Sequence, residues 1–219
     1  LVTDDESQQD AVARNRNLDA AHVPVTGRPD FDSYAHKDTA TERARARAQL
    51  REMGHDIPEE NSVIVFSGQL APAAETGLEN FARHLKTVAA TAPKKITFIY
   101  SFHPRALTQP EQEPFKIRAY QIFDELRAAG VDVQVIDQPA GDPRRPSADS
   151  LGYAADLFVN THSTEGLASH HRGVATMYVG FPKDGHEAHY DEAHPGGKEQ
   201  LAIRSGSGFH IAEDASDAD

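Results

Sequence analysis

The sequence has no cysteine, no tryptophan and only two methionines among 219 residues, and it contains no apolar run long enough to cross a bilayer. Without cysteine there can be no disulfide, thiolate metal site or cysteine nucleophile, and a reducing compartment is permitted, with the cytoplasm as the default expectation. The first residues lack the basic and apolar regions of a signal peptide. Basic side chains are also in short supply, since 22 Lys and Arg against 34 Asp and Glu leave a net charge of −12. Such a surface does not as a whole grip nucleic acid or anionic membrane, although a small local phosphate site stays compatible with it. A Walker-type loop, a serine-hydrolase elbow and a GxGxxG fingerprint are all missing, which removes the commonest competing enzyme classes. Apolar residues make up 38%, low for a compact domain, and the deficit lies at the ends: residues 1–21 are polar and residues 212–219 acidic.

What is present alternates in period. Thr39 to Met53, with Arg43, Arg45, Arg47 and Arg51 between alanines, is expected to be a solvated helix closed near Gly54. Ser62–Ser67, Ile96–Phe102, Val131–Ile136 and Asp156–Asn160 have the short, β-branched and aromatic character of strands. Glu75–Ala90 places Leu78, Phe81, Leu85 and Val88 on one helical stripe; Phe115–Ala129 is a second helix ended by Gly130, and Ala148–Ala155 a short third. Strand and helix exchange without a hairpin signal, so the expected fold class is α/β: a Rossmann-like, doubly wound parallel sheet in three α/β/α layers. A last strand or edge is expected around Gly208–Ile211, and no internal repeat is seen.

The segment Ala154–Val179 (AADLFVNTHSTEGLASHHRGVATMYV) carries the most chemistry. Its strand leads into a hydroxyl-rich turn, Thr161 to Gly166, then a helix over Leu167–Arg172 whose first amides and dipole attract phosphate, and Gly173 closes that helix before the strand Val174–Val179. In such a sheet three turns meet at one edge: Ser67-Gly68-Gln69, His103-Pro104-Arg105 and Ser163-Thr164-Glu165-Gly166. Gly68 permits close backbone approach while Ser67 and Gln69 offer hydrogen bonds, the alternative being an ordinary strand-to-helix turn. Ser163 and Thr164 can cap the helix, donate to phosphate oxygens, or both. His103 and Arg105 complement a nucleotide diphosphate or a phosphorylated acceptor, against a plain surface His-Pro turn. Glu165 is either an acceptor for ribose or sugar hydroxyls or a first-turn acid favoured by the helix dipole.

Twelve histidines invite a metal reading, especially Gly185–His194 (GHEAHYDEAH) and the pair His170-His171. A zincin needs histidines four apart on a helix, whereas His186 and His189 are three apart between Gly- and Pro-rich flanks, which predicts a loop of solvated histidines. That loop, with Glu187 and Asp191, follows the fifth strand and can border a ligand.

The run ADLFVNTHSTEGLASHHRG resembles the donor-side segment of GT-B glycosyltransferases and of the related UDP-N-acetylglucosamine 2-epimerases. Val25 to Asp32 resembles the TGxPxxD passage between their two domains, and His103-Pro104-Arg105 the HPR of glycerophosphotransferase-like and epimerase-like members. The three passages cover roughly residues 23 to 180. The resemblance implies a C-terminal, nucleotide-sugar-binding half of a GT-B fold: a polar segment at 1–24 left from a linker, the domain at 25–213, an acidic tail at 214–219, and an N-terminal Rossmann-like domain missing from this chain, with processing as the alternative. It further implies glycosyl or phospho-polyol transfer in polysaccharide or glycoconjugate biosynthesis, a nucleotide sugar as donor, an acceptor left open, no metal or other cofactor, and a catalytic base in the missing domain. A UDP-sugar 2-epimerase-like isomerase and a non-catalytic Rossmann-like binding module are the alternatives. Two departures stand out, because the paired glutamates of retaining enzymes fall at Ala168 and Asn160.

Overall fold

The computed structural model describes residues 19, 21, 29–34, 36–71, 73–161, 163–179 and 211–212. The chain divides into two compact units, Leu1–Lys37 and Asp38–Asp219. In the first, α1 (Pro29–Asp32) is one short turn, Phe31 lies 5.9 Å from Tyr34 between ring centroids, and the Lys37 ammonium sits 5.6 Å over the Tyr34 ring. Residues 25–28 of the inter-domain passage, residues 208–210 of the expected edge and the histidine-rich stretch 185–194 lie outside the described residues.

In the second unit the elements run α2 (Thr39–Glu52), β1 (Ser62–Ser67), α3 (Ala73–Thr91), β2 (Ile96–Ser101), α4 (Glu113–Ala128), β3 (Asp132–Ile136), α5 (Ala148–Ala154), β4 (Leu157–Asn160), α6 (Thr164–His171), β5 (Ala175–Val179) and β6 (Ile211–Ala212). All pairings are parallel and the spatial order is β3-β2-β1-β4-β5-β6. The chain lays down β1, β2 and β3 outward in one direction, then returns to start again beside β1 with β4. The order therefore reverses between β1 and β4, and in open α/β sheets the crevice at the carboxyl ends of such strands takes the ligand.

One face of the sheet packs under α3 and α4 through an aromatic core. Phe66, Phe98 and Tyr100 from the strands meet Phe81 of α3 and Phe115 and Phe123 of α4, with Phe102 continuing the row. Phe66, Phe98, Tyr100 and Phe123 have no exposed surface, and each such ring withdrawn from water is worth about 1.5–3 kcal/mol. The opposite face carries Val63, Val65, Ile99 and Phe158, covered by α2, α5 and α6.

Helix α2 is solvated on its outer side, as its arginines suggest, and packs against the domain on its inner side. Ala46 and Leu50 are buried, and Arg47 donates to the Ala154 carbonyl at 3.0 Å and to Asp156 Oδ2 at 2.8 Å. The same Asp156 oxygen accepts the Val63 amide at 2.9 Å, so one carboxylate ties the entry of β4 to that of β1 and to α2. Asp38 starts α2 by accepting the Thr41 amide at 2.9 Å, and Gly54, at φ +93°, ends it. No described helix is long and apolar enough to cross a membrane.

Candidate functional site

The three turns singled out by sequence do reach one edge, because β2, β1 and β4 are adjacent and parallel. Ser67 pairs in register with Ser101 on one side and Asn160 on the other. Residues i and i+2 of a strand share a face, so Ser101, Ser67 and Asn160 form a polar row opposite the aromatic core, at the carboxyl ends of three strands and across the reversal point.

Asn160 has no exposed surface. Its Oδ1 accepts the Ser163 amide at 2.9 Å, which orients the side chain toward the start of α6, while its Nδ2 donor finds no acceptor among the described residues. A buried donor without a partner costs roughly 1–3 kcal/mol.

Helix α6 begins at Thr164, one turn earlier than the sequence suggests, and Glu165 and Gly166 belong to its first turn. Ser163 is the N-cap: its hydroxyl accepts the Glu165 amide at 3.1 Å and its carbonyl the Gly166 amide at 3.1 Å. These amides are thereby spent within the protein, and what the helix end offers a ligand is chiefly its dipole.

Glu165 is bonded to Arg172 at the far end of α6, which also holds Asp149 of α5. The Arg172 guanidinium is 1% exposed, lies 3.3 Å from Ser169 Oγ and packs 5.6 Å from the Tyr153 ring. Burial lifts the Glu165 carboxyl above its ordinary range, with Arg172 acting in the opposite sense. The ion network joins α5 and both ends of α6.

The glycine at 68 has a packing reason. A Cβ there would collide with the Tyr100 hydroxyl and come within 2.7 Å of its Cζ and 3.0 Å of the Ser101 carbonyl, and the Gly68 amide already donates to that carbonyl at 2.8 Å. Gly77 plays the same part in α3, where a Cβ would stand 2.5 Å from Thr161 Cγ2 and push the helix away from the end of β4. Ser67 and Gln69, partly exposed beside Gly68, make no side-chain hydrogen bond among the described residues.

At the end of β2, His103 caps a 3-10 turn over Pro104–Leu107, its Nδ1 accepting the Arg105 amide at 3.2 Å. Burial, then the charges of Arg105 and Arg145, depress its pKa. The imidazole is therefore neutral at pH 7 and carries its proton on Nε2, as a hydrogen-bond donor. Arg105 is exposed.

Motif and spacing do not single out Arg145, although an Arg-Arg pair in a loop joining strand to helix in an acidic chain is a signal that exists. It reaches from the β3–α5 loop to the Gln138 carbonyl at 2.5 Å, the Phe102 carbonyl at 2.6 Å and Ser101 Oγ at 3.3 Å. Among the described residues, no group of three or more His, Asp or Glu side chains is placed to share a metal ion.

An all-parallel sheet ordered 3-2-1-4-5-6 with a polar row at its reversal defines a Rossmann-like α/β fold. More particularly, the fold is similar to that of a UDP-N-acetylglucosamine 2-epimerase. UDP-GlcNAc 2-epimerase from Methanocaldococcus jannaschii superposes with a TM-score of 0.59 at 13% identity, over 99% of this chain and 52% of the epimerase. This chain thus spans about half the length of that enzyme. The C-terminal domain of a glycosyl transferase group 1 family protein from Francisella tularensis gives a TM-score of 0.46 at 16% identity, over 78% of this chain and 76% of that one. The C-terminal CMP-Kdo binding domain of WaaA from Acinetobacter baumannii gives 0.40 at 14%, over 80% and 84%. No family model and no curated protein matches the chain.

Proposed function

We propose that this chain is the nucleotide-sugar-binding domain of a GT-B-like glycosyltransferase acting in polysaccharide or glycoconjugate biosynthesis. The observation that carries the reading is the polar row Ser101, Ser67, Asn160 across the reversal of the sheet, with its buried and unsatisfied Asn160 donor. The donor diphosphate lies over the Ser67 and Asn160 end of this row, against Ser67, Gly68 and Gln69 at the end of β1 and against Ser163, Thr164 and Gly166 at the start of α6. His103 and Arg105 offer further phosphate-binding groups at the end of β2, two strands away from Asn160.

Glycosyl transfer breaks the bond between the anomeric carbon and the diphosphate, and the leaving oxygens gain charge. The α6 dipole and the Asn160 amide are fixed donors for that charge, and no metal is needed for it. An asparagine where retaining relatives place a glutamate reverses the polarity of the position: it offers a hydrogen to phosphate or carbonyl oxygens rather than accepting one from a ribose hydroxyl. Glu165 keeps one oxygen for a sugar or ribose hydroxyl while Arg172 holds the other. The general base for the acceptor belongs to the first domain, so this chain binds the donor without turning it over.

The test is calorimetric titration of the chain with UDP, CDP, GDP and ADP. Saturable binding is expected, weakened roughly 10-fold or more by Asn160→Asp and by Ser163→Ala with Thr164→Ala, each removing donors to a charged ligand. A folded chain that binds none of the four, or whose binding ignores both changes, overturns the proposal.

A further inference from the structure

The arginines that are wholly or partly withdrawn from solvent among the described residues are Arg43, Arg47, Arg118, Arg145 and Arg172. Four of them face a carboxylate: Arg43 and Arg47 share Asp156, Arg118 holds Glu79, and Arg172 holds Asp149 and Glu165. Arg145 alone among these five has only neutral partners, the carbonyls of Gln138 and Phe102 and the Ser101 hydroxyl. A half-buried cation without a counter-ion is costly, and it is an odd feature in a chain with 12 excess negative charges. Its immediate surroundings add more positive character. The carbonyl it holds, that of Phe102, is in the peptide bond to His103, and the exposed Arg105 follows two residues later with no ion pair of its own among the described residues. The acidic side chains nearby are engaged elsewhere: Asp137 accepts the Tyr120 hydroxyl at 2.7 Å and Asp142 the Arg144 guanidinium at 2.8 Å.

We infer that Arg145, Arg105 and His103 form a phosphate subsite at the ends of β2 and β3, separate from the Asn160 crevice. This rests on the nucleotide-sugar reading for its place in catalysis, but its chemistry stands alone. From β4 to β2 is two strand spacings, about 10 Å, farther than the two phosphates of one diphosphate reach. The substrate pair therefore bears another phosphate, either elsewhere on the donor, as in a phosphorylated glycosyl or polyol unit, or on the acceptor. Arg145 and Arg105 converge on it with two charges, and His103 Nε2 adds a neutral donor.

Inorganic phosphate is the probe, followed by 31P NMR and calorimetry on the full chain. Saturable binding is expected, weakened at least fivefold by Arg105→Ala and by Arg145→Lys, which keeps the charge but loses the fork, and unchanged by Arg45→Ala, which removes an exposed cation from α2. Phosphate that still binds in the presence of saturating nucleoside diphosphate assigns the subsite to the acceptor or to a distal donor phosphate, and glycerol 3-phosphate binding with the same dependence on Arg105 points to a phospho-polyol. No saturable phosphate binding, or binding indifferent to Arg105→Ala in a chain that melts like the wild type, overturns the subsite and leaves the nucleotide reading intact. Nucleotide binding that fails while phosphate binding persists does the reverse.

Discussion

Replacing Arg172 with methionine lowers stability by about 2–4 kcal/mol, a drop of roughly 5–15 °C in melting temperature for a chain of this size. The guanidinium is 1% exposed while Asp149 is 54% and Glu165 21% exposed. Asp149 can return to water, so losing that half of the network costs little. Glu165 cannot, and it is left with a buried charge or a proton it does not otherwise hold. The side chain also fills space that the fold has cleared for it, because a Cβ on Gly152 would stand 2.5 Å from Arg172 Nη1. The effect has a pH signature. Burial already raises the Glu165 pKa in the folded chain, so the folded state keeps this proton to higher pH than the unfolded state. Its contribution to stability is fullest below the ordinary glutamate range and declines as pH rises through the raised value. Without Arg172 to oppose burial the pKa climbs further, and the variant loses more stability than the wild type between about pH 5 and pH 8. Thermal melts across that interval check it, and parallel pH profiles for the two proteins would refute the network's role.

Gly68→Ala is the second large effect, costing roughly 2–4 kcal/mol, the range for overpacking a rigid site with some backbone displacement. The methyl group would meet Tyr100, and Tyr100 cannot move aside: it is fully buried, with Phe66 at 5.5 Å, Phe102 at 4.9 Å and Phe123 at 5.1 Å between ring centroids. Because the Tyr100 hydroxyl is buried with no partner among the described residues, Tyr100→Phe alone should be neutral or slightly stabilising. The pair Gly68→Ala with Tyr100→Phe then recovers part of the loss, since the hydroxyl is gone while the ring carbon stays close. Chemical denaturation of the two single variants and the double variant measures the coupling. Additive effects would mean that Gly68 is required for some reason other than Tyr100.

How much of this was legible in the sequence depends on whether local chemistry or tertiary contact decides. The span of β1 is as the β-branched run SVIVFS indicates, and the next four strands overlap their expected positions, because alternating strand and helix periods survive in any context. The start of α6 was displaced because Gly166 looks like a helix breaker, whereas Ser163 is a strong cap three residues earlier and a buried glycine is tolerated in a first turn. Gly68 looked like a ligand-contacting glycine, and only the packed structure shows Tyr100 beneath it. Arg172 and Arg145 are opaque for a common reason: each joins a partner 7 residues away to another 23 or 44 residues away, a combination that neither periodicity nor motif spacing encodes. Asn160 stands out in the sequence for what it replaces, and its orphaned donor is visible only with β1 and β4 side by side.

The central claim is that a nucleoside diphosphate binds where the strand order reverses. Amide chemical-shift mapping of the full chain during titration with UDP, CDP, GDP and ADP tests it most directly. The account predicts that at least one of them shifts the amides of Ser67 to Leu70 and of Asn160 to Gly166 together, along with the Asn160 side-chain amide, in a saturable way. Saturable shifts confined to other parts of the chain, or none with any of the four, would contradict it.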